Sequence, residues 1–95
     1  MKIVSVSRAK VDEAVSAHIY AAWSNLVTLE RPAGLAECFL FEDDGVFEIM
    51  GVWETREDHD AALAAETNHP AFVVFEAGGV ECTHTFKRLF ASLHN

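Results

Sequence analysis

Basic residues are scarce in this sequence. Lys and Arg together number 7 against 15 Asp and Glu, which gives a formal net charge of −8 at pH 7. Nucleic acids and anionic membranes are bound through basic patches, and the few cations here are scattered along the chain. We therefore expect no nucleic acid and no membrane among the partners of this protein.

Cysteine and long hydrophobic runs are scarce as well. The two cysteines, Cys38 and Cys82, are too few for a disulfide framework. They fall on strands that we expect at opposite edges of one sheet, too far apart to be bridged. No run reaches the roughly 18 apolar residues of a membrane span. Residues 1–8 alternate and carry charge early, unlike a signal peptide. These features predict a cytoplasmic protein with free thiols.

Signatures of metal and nucleotide chemistry are also missing. The histidines show no His-Glu-x-x-His or comparable metal-ligand spacing, and there is no Cys-x-x-Cys pair. Gly78 and Gly79 end a predicted helix, whereas a phosphate loop opens one after a strand. We expect no metal and no cofactor.

Apolar side chains are abundant by contrast. Hydrophobic residues make up 51% of the 95 positions, and a chain of this length buries only about two-thirds of its unfolded surface. The sequence predicts a single domain over residues 1–95. Its surplus apolar surface indicates a homodimer, because a second copy is the simplest cover.

Hydrophobic periodicity predicts four strands and two main helices. The predicted elements are, in order, a strand over residues 2–10, a helix that begins after Asp12, strands over 35–42 and 46–54, a helix over 56–66, a short helix from His69 and a strand over 80–89. Asp43, Asp44 and Gly45 form a hairpin turn, because Asp-Gly accepts the positive φ of tight turns. The β-α-β-β-α-β order is the ferredoxin-like pattern of an α+β domain with a four-stranded antiparallel sheet.

The third strand is apolar on both faces. Phe47, Ile49 and Trp53 share one face, and Met50 and Val52 share the other. The two helices cover only one face of the sheet, so the other face needs a partner. A twofold-related sheet is the commonest solution, which again predicts a homodimer.

Two stretches of the sequence resemble the antibiotic biosynthesis monooxygenase family. They are residues 47–58, Phe-Glu-Ile-Met-Gly-Val-Trp-Glu-Thr-Arg-Glu-Asp, and residues 68–72, Asn-His-Pro-Ala-Phe. The order of elements fits over the whole chain. The resemblance implies a dimeric α+β barrel in which each protomer holds a pocket between its sheet and its helices.

The cofactor-independent oxygenases of that family pair a Trp on the third strand with an Asn four residues earlier and a Tyr on the following helix. Trp53 matches the Trp, whereas Ile49 stands at the Asn position and His59 at the Tyr position. The resemblance implies Trp53, His69 and His59 as catalytic residues, with the indole N–H as donor and either histidine as base.

The haem-degrading relatives use an Asn, a Trp and a His. The corresponding positions here hold Ser7, Ala62 and Phe72. The resemblance therefore implies no haem bound through the family's own His, which leaves His69 as the alternative ligand.

The predicted pocket lies on the sheet face of Ile49 and Trp53. Parity places Phe39 and Phe41 together on one face of the neighbouring strand, and we expect that face to be the pocket face. The residues expected to line the pocket are Phe39, Phe41, Ile49, Phe72, Phe75, Trp23 and His18.

These expectations leave three functions open. The first is a cofactor-independent monooxygenase acting on a small aromatic or quinol-type metabolite in an apolar pocket. The second is an isomerase or lyase on a small carbonyl metabolite, with a histidine as proton shuttle. The third is a non-catalytic dimer that binds a small apolar or aromatic molecule.

Overall fold

The computed structural model describes residues 2–91. Its elements are, in order, β1 (Ile3–Lys10), α1 (Glu13–Leu26), β2 (Leu35–Asp43), β3 (Val46–Trp53), α2 (Arg56–Ala65), α3 (Pro70–Val74), a 3₁₀ turn (Glu76–Gly78) and β4 (Thr83–Arg88). The four strands form one antiparallel sheet in the order β2-β3-β1-β4. The predicted ferredoxin-like α+β fold is confirmed. Cys38 in β2 and Cys82 just before β4 lie at opposite edges of the sheet, as expected. Within residues 2–91, no helix has the length and apolarity needed to cross a membrane.

Local sequence signals explain where the main elements begin. The Asp12 carboxylate accepts a hydrogen bond from the Val15 backbone N–H at 3.1 Å and caps α1. The Thr55 hydroxyl accepts one from the Asp58 N–H at 3.0 Å and caps α2. The turn between β2 and β3 places Asp44 at φ 50° and Gly45 at φ 81°, as Asp-Gly predicts. The two helices and the hairpin are therefore encoded locally.

The inner face of the sheet and the helices enclose the main core. Its buried members are Ala9, Ile19, Phe47, Ile49, Val74 and Phe75. Phe47 and Phe75 are completely buried. Removing either ring would cost about 3–5 kcal/mol, because a cavity would be left behind.

The outer face carries a second apolar cluster. It consists of Val4, Val6 and Val52, packed with Ala36, Met50 and Leu89. Phe39 and Phe41 also lie on this face, 43% and 49% exposed. The predicted apolarity of both faces is confirmed.

The predicted placement of Phe39 and Phe41 in the inner pocket is wrong. Phe39 pairs with Met50 and Phe41 with Glu48, and directly paired residues point to the same face. The cause is a β-bulge at Ala36, where the register shifts between Leu35 and Glu37. Leu35 points inward opposite Trp53, and the extra residue turns the rest of β2 the other way.

Candidate functional site

The structure brings the three predicted catalytic side chains into one cluster. Trp53 and His69 stack with ring centroids 5.4 Å apart, and His59 contacts both edge-on, at 5.2 Å and 4.7 Å. All three side chains are at most 2% exposed. Residues from β3, α2 and the start of α3 therefore meet in a dry interior.

Each element places its residue for a local reason. Trp53 ends β3 on the inner face, opposite Leu35. The Thr55 cap begins α2 directly after the strand, which puts His59 one turn into the helix with its buried side toward Trp53. His69 is the N-cap of α3, where Nδ1 accepts the Ala71 backbone N–H at 3.1 Å.

The indole N–H of Trp53 is hydrogen-bonded within the protein. Nε1 donates to Ser5 Oγ at 3.0 Å in a buried hydrogen bond. Gly51 permits this approach, because a Cβ there would lie 2.7 Å from Nε1. The indole N–H that was predicted to donate to a substrate is therefore already bonded within the protein.

His59 is held by an ionised carboxylate. Its Nδ1 lies 2.9 Å from Asp60 Oδ1, which also accepts from Arg56 Nε at 3.1 Å. The hydrogen bond from His59, followed by that from Arg56, lowers the pKa of Asp60 below its usual value. Because the carboxylate accepts, Nδ1 carries the proton in the neutral ring and Nε2 has a free lone pair. His59 Nε2 is buried with no hydrogen-bond partner among residues 2–91.

His69 has the complementary arrangement. Its Nδ1 accepts from Ala71, so the neutral ring carries its proton on Nε2. Burial is the main cause that lowers the pKa of His69 from 6.5 to about 4, and the neighbouring imidazoles of His59 and His84 add to it, because a second cation beside them would be unfavourable. The ring is therefore neutral at pH 7. Within the described chain its Nε2–H is also buried without a partner.

The two imidazoles thus present one buried acceptor and one buried donor. A buried polar atom without a partner costs about 1–3 kcal/mol, so each of these two atoms calls for an explanation. Such a pair can remove a proton from a ligand and stabilise the negative charge that results.

A cavity of about 200 Å³ lies on the other side of Leu35 and Pro70, and Trp53, His59 and His69 are not in its wall. It is lined by Trp23, Leu26, Val27, Leu29, Glu30, Arg31, Pro32, Leu35, Cys38, Asn68 and Pro70. Leu35 also packs in the same buried group as Trp53, and Pro70 directly follows His69. The Cys38 thiol in its wall is no nucleophile at neutral pH, because burial raises its pKa to about 11.

Of the predicted pocket residues, only Trp23 lines this cavity. Ile49 and Phe75 belong to the main core, Phe72 is half-buried, and His18 is exposed on α1. Phe39 and Phe41 are on the outer face, as described above.

Sequence reasoning missed Ser5 and noticed Asp60 beside His59 without placing it in the site. Ser5 is a polar residue at an inward position of β1, where its 5% exposure contrasts with its polarity. Asp60 directly follows His59, and an adjacent carboxylate on a helix was a readable signal for an oriented imidazole.

No protein-family model and no curated protein matches this sequence. Solved structures do match its fold. A cofactor-independent oxygenase, SnoaB from Streptomyces nogalater, superimposes with a TM-score of 0.73 at 17% identity, covering 99% of this chain and 98% of its own. A protein of unknown function from Nitrosomonas europaea gives 0.76 at 13% identity, covering 99% and 94%.

A third structure, from Deinococcus radiodurans, is assigned by its name to the antibiotic biosynthesis monooxygenases. It gives a TM-score of 0.69 at 15% identity, covering 100% of this chain and 98% of its own. At these identities the likeness concerns architecture. This chain has the ferredoxin-like fold found in the named antibiotic biosynthesis monooxygenase structures.

Proposed function

We propose that this protein is a cofactor-independent monooxygenase that acts on a small aromatic or quinol-type metabolite. The observation that carries the proposal is the pair of buried imidazoles, one with a free lone pair and the other with a free N–H. Dioxygen chemistry without a cofactor needs a substrate anion, and this pair can form and stabilise one.

His59 is the base in this proposal. Its Nε2 takes a proton from the substrate, and Asp60 stabilises the imidazolium through Nδ1–H. His69 Nε2–H donates to the oxygen on which the negative charge develops. Dioxygen oxidises the substrate anion by adding to one of its carbons, which gives a peroxide anion. This anion takes the proton back from His59, and the resulting hydroperoxide loses water to leave a carbonyl. One oxygen atom stays on the substrate, and the other leaves as water with one hydrogen from the quinol hydroxyl and one from the reacting carbon.

The cavity limits the size of the substrate. Ligand pockets commonly measure about 300–1,000 Å³, and a cavity of about 150 Å³ holds benzene. The 200 Å³ here therefore favours a quinol of one or two rings. Leu35 and Pro70 lie between the cavity and the cluster. The proposal therefore requires one of them to shift when the substrate binds.

The shared fold supports the reaction class. SnoaB is named a cofactor-independent oxygenase, and its architecture matches this chain over almost its full length. Trp53 matches the Trp of the family pattern, which agrees with a site at the C-terminal end of β3.

Dioxygen consumption with a one-ring and a two-ring hydroquinone tests the proposal. His59→Gln should slow consumption above the protein-free background by about 10²–10⁴-fold, because the base is lost. His69→Asn keeps the helix cap but loses the Nε2–H, and should slow it by about 10²–10³-fold. His18→Gln, an exposed histidine on α1, is the control and should retain the wild-type rate. Equal rates for all four proteins would refute the proposal.

The same two imidazoles suit an isomerase or lyase, because a base and an oxyanion donor are also what enolisation requires. Exchange of a carbonyl substrate's α-hydrogen in deuterated water, without dioxygen uptake, would favour that function. A third outcome is binding of a hydroquinone without turnover or exchange, which would identify a binding protein.

We also propose that the outer sheet face pairs with a second copy of the chain. Phe39 and Phe41 are half-exposed there beside the apolar cluster of Val4, Val6 and Val52. On the same face, Arg8 of β1 lies opposite Glu48 of β3 in the strand register. In a twofold-related pair, Arg8 of each copy can therefore meet Glu48 of the other.

A further inference from the structure

Three metal-binding side chains converge where the 3₁₀ turn leads into β4. His84 Nε2 lies 3.0 Å from Glu76 Oε1 and 3.6 Å from Cys82 Sγ, and Sγ lies 4.0 Å from the same carboxylate oxygen. All three ligand atoms are within 4.8 Å of one another. Imidazole, thiolate and carboxylate are the three ligand types that zinc takes in proteins.

The separations match the edges of a tetrahedron. With Zn–S about 2.3 Å and Zn–N and Zn–O about 2.0–2.2 Å, tetrahedral angles put neighbouring ligand atoms about 3.4–3.6 Å apart. The observed 3.0, 3.6 and 4.0 Å lie on both sides of that value. An ion could therefore be held by all three atoms after shifts of about half an ångström.

The ring of His84 is oriented as a ligand. Its Nδ1 lies 2.9 Å from Ser7 Oγ on β1, a buried hydroxyl that can accept the Nδ1–H. Without an ion, Nε2–H donates to the Glu76 carboxylate; a bound ion would replace that proton, and Ser7 would then accept from Nδ1–H. Metal-binding histidines are almost always fixed in this way through their second nitrogen.

The backbone between the ligands is already ordered. Gly79 N–H donates to Glu76 O at 3.0 Å, and Val80 N–H donates to Phe75 O at 3.0 Å, so the turn is closed without an ion. Cys82 directly precedes β4 and His84 is its second residue, and both side chains lie on the inner side of the sheet. Side chains of all three ligands are reached by solvent, since each is exposed or half-buried.

From this geometry we propose that Glu76, Cys82 and His84 bind one Zn²⁺ ion. Cys82 coordinates as the thiolate and its proton passes to solvent. Three protein ligands leave a fourth position for water, the arrangement of zinc sites that remain open to ligands. The proposal departs from the expectation of no metal, because the spacing Glu-x₅-Cys-x-His matches no recognised signature and the site depends on the 3₁₀ turn. It is independent of the proposed oxygenase function.

Cobalt substitution tests the site directly, because a Co²⁺–thiolate bond gives charge-transfer absorption in the near ultraviolet. The full chain is reduced, dialysed against a chelator and titrated with Co²⁺ and then with Zn²⁺. We expect one Co²⁺ per chain, a thiolate band, and displacement of the band by Zn²⁺ at micromolar concentration. Saturating Zn²⁺ should also raise the melting temperature by several degrees, because it binds the folded chain.

The two cysteines provide a matched pair of variants. Cys82→Ser should lose the band and the thermal shift, whereas Cys38→Ser should keep both. Ser7→Ala should weaken Co²⁺ binding about 10- to 100-fold, since His84 loses its orienting partner. The proposal is overturned if the thiolate band is absent, if binding needs millimolar metal, or if Cys82→Ser binds as tightly as the wild type.

Discussion

His69 should make the protein lose stability in mild acid. Its imidazole is buried and neutral in the folded chain, with a pKa of about 4, against 6.5 when exposed in the unfolded chain. Between these two values the unfolded state holds a proton that the folded state lacks. The free energy of unfolding therefore falls as the pH falls from about 6.5 to about 4.

The size of the effect follows from the two pKa values. The change from 6.5 to about 4 corresponds to about 3 kcal/mol, at 1.36 kcal/mol for each tenfold change in proton affinity. Domains of this size are stable by only about 5–15 kcal/mol, so this is a large share. The slope should reach about 1.4 kcal/mol per pH step in the middle of the range.

Comparison with His69→Asn isolates this contribution. Asn can keep the helix cap but does not titrate, and the loss of ring stacking on Trp53 should lower stability by a similar amount at every pH. Urea unfolding followed by circular dichroism, at one protein concentration and at pH 7.5, 6.5, 5.5 and 4.5, gives both stability curves. The carboxylates titrate in both proteins, so the difference between the curves reports His69.

The difference in unfolding free energy between the wild type and His69→Asn should narrow by about 2–3 kcal/mol from pH 7.5 to pH 4.5, because only the wild type must leave His69 unprotonated. His18→Asn is the control: an exposed side chain has similar surroundings folded and unfolded, so its curve should run parallel to the wild type. Parallel curves for the wild type and His69→Asn would refute the argument that burial keeps this ring neutral.

Three further predictions concern the sheet. Gly51→Ala should lower the free energy of unfolding in urea by about 1–3 kcal/mol, because its Cβ would lie 2.7 Å from Trp53 Nε1; unchanged stability would contradict that close approach. Trp53→Phe should cost about 1–3 kcal/mol in the same assay, because Ser5 Oγ loses its donor, and a neutral substitution would show that the buried hydrogen bond contributes nothing. Phe41→Glu should shift sedimentation from dimer to monomer, whereas Tyr20→Glu, at an exposed aromatic on the helical side, should not; a Phe41→Glu dimer would rule out the outer-face interface.

Elements encoded by short stretches of sequence were predictable. Asp12 and Thr55 cap the helices that they were expected to cap, and Gly45 closes the predicted hairpin. Each of these signals depends on a hydrogen bond or a φ angle within a few residues. The last strand begins at Thr83 instead of residue 80, because the 3₁₀ turn extends to Gly78 and Val80 N–H bonds back to Phe75.

Features that depend on tertiary register were not predictable. The alternation of side chains along a strand correctly grouped Phe39 with Phe41 but could not say which face of the sheet they share. The bulge at Ala36 decides this, and in a strand of nine residues it cannot be recognised from the pattern of apolar residues. The roles of His59 and His69 depend on which ring nitrogen is already bonded, by Asp60 and by the Ala71 N–H. Sequence could name both histidines but could not assign the tautomers.

The bulge at Ala36 has a consequence for how chain length can vary. Leu35 pairs with Trp53 and Glu37 with Val52, so Ala36 is the one residue of β2 that has no paired residue on β3. Deleting it would restore a regular ladder and leave every later residue of the strand on its present face. An insertion or deletion anywhere between Cys38 and Phe41 would instead exchange the two faces. Position 36 is therefore where natural or engineered variants of this chain can differ in length by one residue and keep both the cavity wall and the outer surface.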